Sequence, residues 1–230
     1  TKAMAANTDD PRVKAHKVTL LVSGSEAVGK SSMIYAYLEG RFSTEYVPTV
    51  FNVEHAARQL EYCAPLSKVQ PKNPKKRLPP NQLHTEEITV DMSIFDTAGR
   101  KEYDHLRQLQ YPQMDLLLMC FPLVADDASA TDEIVKKWVP EVKHHAPNKP
   151  FILVGTKADL RGTEEAKSKH ETSTADGKAL ADRIGAWDYV ETSAKTDPES
   201  LKQLFKTAYY HYTISLFPAP EPKTKACLIL

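Results

Sequence analysis

Residues 24–31 read Gly24-Ser-Glu-Ala-Val-Gly29-Lys30-Ser31, which is a glycine, four residues, and then glycine, lysine and serine. The short apolar run Val18-Thr-Leu-Leu-Val22 precedes this loop, and residues 31–38 after it have helical spacing. A strand, a glycine loop and a helix in this order bind phosphate, because backbone N–H groups and the positive end of the helix point at the anion. Lys30 can reach the outer phosphates and Ser31 can ligate Mg²⁺. An ordinary glycine turn is the alternative, and the flanking strand and helix weigh against it.

Beyond the loop, the chain alternates strand-like and helix-like segments. Residues 88–95 alternate apolar and polar side chains, whereas residues 116–121 and 151–154 are continuous apolar runs, typical of strands buried on both faces. Helical spacing covers three further segments, namely 132–144 (where Pro140 can end or kink the helix), 175–184 and 199–212. This alternation predicts a doubly wound α/β sheet.

Composition excludes several classes of protein. The 230 residues carry 30 Lys and Arg against 30 Asp and Glu, which argues against a general nucleic-acid binder. No apolar run approaches the ~18 residues of a transmembrane helix, and no signal segment opens the chain. The three cysteines, Cys63, Cys120 and Cys227, are too few and too scattered for a disulfide framework or a zinc site. We therefore expect a reducing compartment.

The sequence divides into one domain and its extensions. We expect a flexible arm over residues 1–15, a domain over 16–213, and a linker with a modification motif over 214–230. Residues 63–85 contain five prolines and five Lys or Arg with no Asp or Glu, so they cannot bury enough apolar surface to offset the entropy of ordering. They are expected to form a mobile, enlarged hairpin tip between strand-like residues 51–62 and 87–95.

Three further motifs follow strand-like segments. In Asp96-Thr-Ala-Gly99 the carboxylate can hold Mg²⁺ through water and the Gly99 N–H can reach a terminal phosphate, although a plain strand-ending turn would explain the motif if it stood alone. In Thr156-Lys-Ala-Asp159 the carboxylate can accept two hydrogen bonds from guanine, which adenine cannot offer. Ser193-Ala-Lys195 can supply a backbone N–H to the oxygen of the base.

With these motifs in order, the sequence resembles a small GTPase of the Ras superfamily, and most of all the Rho family. The likeness covers roughly residues 16–212 without 63–85, and Thr156, where most Ras-like proteins have Asn, is a common Rho variant. The resemblance implies a P-loop NTPase fold, with a mostly parallel six-stranded sheet and helices on both faces. The further segments that carry it are Tyr46-Val-Pro-Thr-Val-Phe51, Glu102-Tyr-Asp-His-Leu-Arg107, Tyr111-Pro112, residues 138–144 and Ile184-Gly-Ala-Trp187.

The resemblance also implies a set of site residues for GTP or GDP and Mg²⁺. Phe42 would pack edge-on against the guanine, and the stem of Lys157 would lie on the face of the base. The alternatives are that Phe42 is a core aromatic and that Lys157 is a solvated lysine. Mg²⁺ would be held by Ser31, Thr49 and Asp96. The nucleotide contacts would come from Ser25, Glu26, Ala27, Val28, Gly29, Lys30, Ser31, Ser32, Phe42, Tyr46, Thr49, Gly99, Thr156, Lys157, Asp159, Ser193, Ala194 and Lys195.

Partners follow from the same resemblance. Effector proteins would read a first switch, Glu45–Phe51, and a second switch, Gly99–Leu109. Exchange factors and a prenyl-binding dissociation inhibitor are further expected partners. The chain is expected to be a monomer that acts on the actin cytoskeleton and binds no nucleic acid.

Two residues depart from the family pattern at the catalytic positions. Glu26 stands where the family has glycine, and Arg100 stands where it has the glutamine that orients the attacking water. Arginine has no acceptor for a water proton, so we expect slow hydrolysis and a resting GTP form. A carboxylate beside phosphate is repelled, so Glu26 must point away or be neutralised, and pairing with Arg100 is one hypothesis for its neutralisation. Three interpretations stay open: a slowly hydrolysing switch, an active GTPase with modified catalytic residues, and a nucleotide-free scaffold. A role of Arg100 as a built-in arginine finger is less favoured, because the attacking water would still lack its orienting group.

A third departure lies in residues 161–176, where Rho proteins carry an additional helix. The stretch is polar and short here, so we expect that helix to be reduced or lost.

The final four residues, Cys227-Leu-Ile-Leu230, match a prenylation signal, and leucine at the end favours geranylgeranyl. One lipid gives marginal, reversible binding, so we expect cycling between the cytosol and the cytoplasmic face of membranes. The basic stretch 63–85 could add attraction to anionic lipid, dock a protein, or be a solvated insertion, and the last is favoured.

Overall fold

The computed structural model describes residues 17–44, 50–63 and 85–216. Six strands form one sheet in the order β2-β3-β1-β4-β5-β6, parallel except that β2 pairs antiparallel with β3. The strands are β1 (Lys17–Ser23), β2 (Phe51–Cys63), β3 (Thr85–Thr97), β4 (Leu116–Pro122), β5 (Phe151–Thr156) and β6 (Asp188–Glu191). The predicted six-stranded, mostly parallel sheet is confirmed.

Five helical segments cover the two faces of this sheet: α1 (Lys30–Glu39), α2 (Asp104–Gln108), α3 (residues 129–145), α4 (Thr174–Ile184) and α5 (Pro198–Leu216). Single-turn 3-10 helices are found at Lys101–Tyr103, Tyr111–Gln113, Ala158–Leu160 and Glu164–Ser168, and the two-residue strands Val124–Ala125 and His170–Glu171 pair with each other. Among the helices described, none has the length and apolar character needed to cross a bilayer.

The apolar strands divide their side chains between two cores. Leu20 and Leu118 face a cluster that includes Met33 of α1 and Phe205 of α5. Leu21 and its neighbours on β4 and β5 face a second cluster with Trp138 of α3 and Leu180 of α4. Because consecutive residues of a strand point to opposite faces, a continuous apolar run needs helices on both sides.

Helices α3 and α5 are several residues longer than predicted. Pro140 does not end α3, because a π-turn at Ile134–Trp138 shifts the hydrogen-bond register just before the proline and the helix continues to His145. Helix α5 extends beyond the predicted end at Tyr212 and reaches Leu216. Ser193 to Lys195 lie in the loop before it.

In segment 161–176 the helical structure before α4 is reduced to the five-residue 3-10 helix Glu164–Ser168, in agreement with the expectation of a reduced helix. Arg161 fixes it by donating to Glu191 Oε1 at 2.8 Å and Glu191 Oε2 at 2.5 Å, and to the carbonyl oxygen of Thr172 at 2.5 Å.

The β2–β3 hairpin extends past the rest of the sheet. Its register runs from Phe51 opposite Thr97 to Cys63 opposite Thr85, as expected for strands that flank a hairpin tip. Lys17, the first residue of β1, pairs with Asp91 of β3. Strand β3 begins six residues before Asp91 and therefore extends beyond β1. The predicted insertion itself, apart from its two end residues, lies outside the described residues.

Candidate functional site

The loop between β1 and α1 has the backbone conformation of an anion-binding cradle. Ala27 (φ 59°) and Gly29 (φ 100°) both lie in the left-handed region, where a residue with a side chain is strained. Gly24 packs so tightly against β4 that an added Cβ would lie 2.2 Å from the carbonyl oxygen of Cys120. Successive left- and right-handed residues turn backbone N–H groups toward one concavity, which suits a phosphate.

Lys30 closes this loop from within. The side chain is only 7% exposed, and Nζ donates to the carbonyl oxygens of Gly24 at 2.9 Å and Ser25 at 2.7 Å. Burial lowers the pKa of Lys30, and the charge of the nearby Asp96 carboxylate partly offsets that effect. The ammonium group is therefore held at the mouth of the cradle.

The turn after β3 lies directly against the loop. Thr97 donates to the carbonyl oxygen of Val22 at 2.8 Å, which ties the end of β3 to β1. An added Cβ on Gly99 would lie 2.3 Å from the carbonyl carbon of Ser25, so only glycine fits here. The buried Asp96 carboxylate and the Ser31 hydroxyl in the first turn of α1 are oxygen donors of the kind that Mg²⁺ prefers.

The loops after β5 and β6 form the opposite end of the site. The Thr156 hydroxyl lies 2.5 Å from the carbonyl oxygen of Val28 and 3.0 Å from that of Phe121, so it joins β5 to the loop and to β4. Lys157 has a left-handed backbone (φ 58°), and burial lowers its pKa. The Ser193 hydroxyl donates to Asp159 Oδ1 at 2.7 Å and so orients that carboxylate.

A cavity of about 570 Å³ joins these parts. It is large enough for a nucleotide. Its lining brings together many of the predicted residues: Glu26, Ala27, Gly29, Lys30, Ser31, Ser32, Phe42, Gly99, Arg100 and Lys157. Asp159, Ser193, Ala194 and the exposed Lys195 lie on the neighbouring loops rather than in this lining, and Tyr46, Thr49 and Cys227 lie outside the described residues.

Glu26 and Arg100 bind each other at the rim of this cavity. Arg100 donates from Nε to Glu26 Oε1 at 2.7 Å, and its terminal nitrogen lies 2.5 Å from the same oxygen. The side chains are 51% and 43% exposed. The pairing that the sequence suggested is therefore present.

Residues of α3 contact both the loop before α1 and Arg107 of α2, and no local pattern in the sequence predicts these contacts. The Trp138 indole donates to Ser25 Oγ at 3.0 Å, and the Ser25 hydroxyl donates to Glu133. Arg107, only 1% exposed, lies 4.5 Å from the centre of the Trp138 ring. Arg107 and Trp138 belong to two of the segments that resemble the Rho family, residues 102–107 and 138–144. Nothing in the sequence shows that their side chains are in contact.

Arg107 is also fixed by hydrogen bonds. It donates to Glu141 at 2.8 and 2.9 Å, to Asp104 at 2.6 Å, and to the carbonyl oxygen of Ala98 at 2.9 Å. Burial alone would lower the pKa of Arg107, but the carboxylates of Glu141 and Asp104 raise it above its ordinary value. A permanently charged group thus holds the turn after β3 against α3.

Comparisons with known proteins agree with this geometry. The sequence matches the Ras family over residues 19–68 and 78–213. It is 40% identical over 195 residues to the Rho-related GTP-binding protein RhoB of Homo sapiens, covering 82% of this chain and 85% of that protein. The RhoB proteins of Mus musculus and Rattus norvegicus match to the same extent.

Proposed function

This chain belongs to the Ras superfamily of small GTPases and, within it, to the Rho family, and from that premise we propose that it is a molecular switch that rests in the GTP form. Small GTPases of this family bind GTP or GDP with Mg²⁺. For this chain in particular, we propose that hydrolysis of GTP is strongly slowed. The Glu26–Arg100 ion pair carries that proposal.

The chemistry of the two side chains beside the terminal phosphate favours slow hydrolysis. Water attacks efficiently only when an acceptor orients it, and a guanidinium group has donors only. Arg100 is moreover bound to Glu26 at 2.7 Å. Glu26 also places a side chain where an arginine from an activating protein would insert, and such an arginine raises the rate by ~10³–10⁵.

The other proposed roles use the chain's own donors. Ser31, Thr49 and Asp96 would hold Mg²⁺, which when bound neutralises charge on the phosphates. Lys30 and the loop N–H groups would bind the phosphates, while Asp159, oriented by Ser193, would accept hydrogen bonds from guanine. Phe42, 37% exposed at the cavity, is available to pack against the base.

Signalling would run through surfaces around this cavity. Effector proteins would bind the first switch (Glu45–Phe51) and the second (Gly99–Leu109), where Val50, Phe51 and Leu109 are exposed apolar side chains. Exchange factors and a dissociation inhibitor are proposed as further partners, and cytoskeletal regulation as the process. Geranylgeranylation of Cys227 would hold the protein on the cytoplasmic face of membranes.

The test is to identify the nucleotide that copurifies with the full chain and to measure single-turnover phosphate release from the GTP complex. We expect bound GTP and slow release, with Glu26→Gly/Arg100→Gln accelerating release roughly a hundredfold. Arg41→Gln, which changes another arginine at the cavity rim, is the matched control. Bound GDP with brisk release would establish an active GTPase, and a nucleotide-free protein would establish a scaffold; either result overturns the proposal.

A further inference from the structure

Two exposed aromatic side chains lie at the end of the molecule opposite the nucleotide cavity. Trp187, just before β6, is 43% exposed, and Tyr210 on α5 is 39% exposed. The ring of His211 joins them, with edge contacts to Trp187 at 5.8 Å and to Tyr210 at 5.5 Å between ring centres. We call Trp187, Tyr210 and His211 the aromatic patch.

The topology fixes where this patch lies. The loops of the cavity follow the carboxyl ends of β1, β3 and β5, whereas Trp187 precedes the first residue of β6. Helix α5 runs back toward the amino ends of the strands, because His211 Nε2 lies 3.0 Å from Asp188 Oδ2 at the start of β6. The patch is therefore at the amino end of the sheet.

The chain leaves toward its C-terminus from the same end. Tyr210 is six residues before Leu216, where the described helix ends, which is about 9 Å of helix. Cys227 follows eleven residues later, so even a fully extended connection spans at most about 40 Å. A lipid on Cys227 would keep this end of the domain close to a bilayer.

The ends of the β2–β3 hairpin also lie at this end of the sheet. Strand β2 ends at Cys63 and strand β3 begins at Thr85. Thr85 lies six residues before Asp91, the residue of β3 that pairs with Lys17 of β1. The chain between them carries five Lys or Arg and no acidic residue, a composition that favours an anionic surface. The basic composition of the chain between the hairpin ends thus argues for an anionic partner at this end of the sheet.

From these observations we infer that the aromatic patch is a lipid-binding surface that inserts into the headgroup region of an anionic membrane. Trp and Tyr side chains favour that region because each combines an apolar ring with a polar group. In this orientation the cavity and the second switch face away from the bilayer and stay accessible to protein partners. The inference rests on the membrane anchorage of the proposed function.

Tryptophan fluorescence provides a direct test, because the chain has two tryptophans and Trp138 is fully buried. The full chain, geranylgeranylated at Cys227, is added to phosphatidylserine-containing vesicles whose acyl chains are brominated. We expect quenching of Trp187, absent in Trp187→Phe, which keeps an aromatic ring. Trp187→Ala/Tyr210→Ala should weaken vesicle binding roughly tenfold. Leu109→Ala, which removes an exposed side chain of the second switch, should not change binding.

A second arrangement separates this inference from the anchorage. A Cys227→Ser chain with a C-terminal histidine tag is tethered to the same vesicles through a nickel-chelating lipid. If the transferase does not modify Cys227, the anchorage fails, while the tethered chain still reports on the patch. Tethered protein without quenching of Trp187 overturns the inference. So does shielding of Trp187 from aqueous iodide by self-association without vesicles, which would assign the patch to a second copy of the chain.

Discussion

Arg100, in the turn after β3, donates from Nε to Glu26 Oε1 at 2.7 Å, and the two residues close one side of the nucleotide cavity. A carboxylate about 4 Å from a phosphate charge is repelled by roughly 4 kcal/mol at an effective dielectric near 20. We expect the guanidinium group beside Glu26 to offset that repulsion when a nucleotide is bound. The two side chains should then be energetically coupled in nucleotide binding.

A double-mutant cycle measures this coupling. Arg100→Gln alone should weaken GTP binding, because Glu26 is left uncompensated, whereas Glu26→Gly/Arg100→Gln should recover most of the loss. Both side chains are about half exposed, so a coupling energy of about 1 kcal/mol is expected. GTP affinities of the wild type, both single variants and the double variant provide the measurement. Additive effects would show that the pair does not act as a unit.

Substitution of the buried Arg107 is expected to be strongly destabilising. Arg107→Met leaves Glu141 with a buried carboxylate that has lost its bidentate partner, at a cost of about 3–5 kcal/mol in the free energy of unfolding. Urea denaturation followed by circular dichroism measures the loss. The control is Arg41→Met, which breaks an exposed ion pair with Glu39 and should cost less than about 1 kcal/mol. Equal losses in the two variants would contradict the assignment.

Ser193 is expected to act on the guanine base through Asp159. Ser193→Ala removes the hydroxyl that donates to Asp159 Oδ1 at 2.7 Å, so the carboxylate is less well oriented. We expect GDP affinity to fall roughly fivefold, which corresponds to about 1 kcal/mol. Fluorescent-nucleotide titration measures the change. Ser173→Ala removes the cap of α4 and should leave GDP affinity unchanged; a similar fall there would point to general loosening of the fold.

The Arg161–Glu191 pair predicts a dependence of stability on pH. Burial alone would raise the pKa of Glu191, but hydrogen bonds from Arg161 and Tyr189 lower it below its ordinary 4.5. A carboxyl whose pKa is depressed in the folded state contributes stability that is complete above 4.5 and is lost as pH falls through the folded value.

Glu191→Gln should therefore flatten the dependence of the urea midpoint on pH between neutral pH and about pH 3. Glu164→Gln, at an exposed pair with Lys167, serves as the control and should retain the wild-type slope. An unchanged slope in Glu191→Gln would show that this pair contributes little to acid sensitivity.

Local patterns in the sequence determined the fold and much of the site. The motif from Gly24 to Ser31 specifies a strand, a loop and a helix, and the buried runs at β4 and β5 specify a parallel core. These features are encoded in consecutive residues, because backbone conformation and strand burial depend on local side chains. The Glu26–Arg100 pair could be suggested as a hypothesis only because the resemblance places the motif from Gly24 to Ser31 and the turn after Asp96 at the same phosphate.

Contacts between distant segments were decided by the tertiary structure alone. Trp138 reaches Ser25 across 113 residues of sequence, and Ser193 orients Asp159 from a different strand end. The common location of Tyr210, Trp187 and the hairpin ends likewise depends on strand order and on the direction of α5. Side-chain chemistry can be read from a sequence, but the distance between two side chains is set by how the sheet and its helices pack.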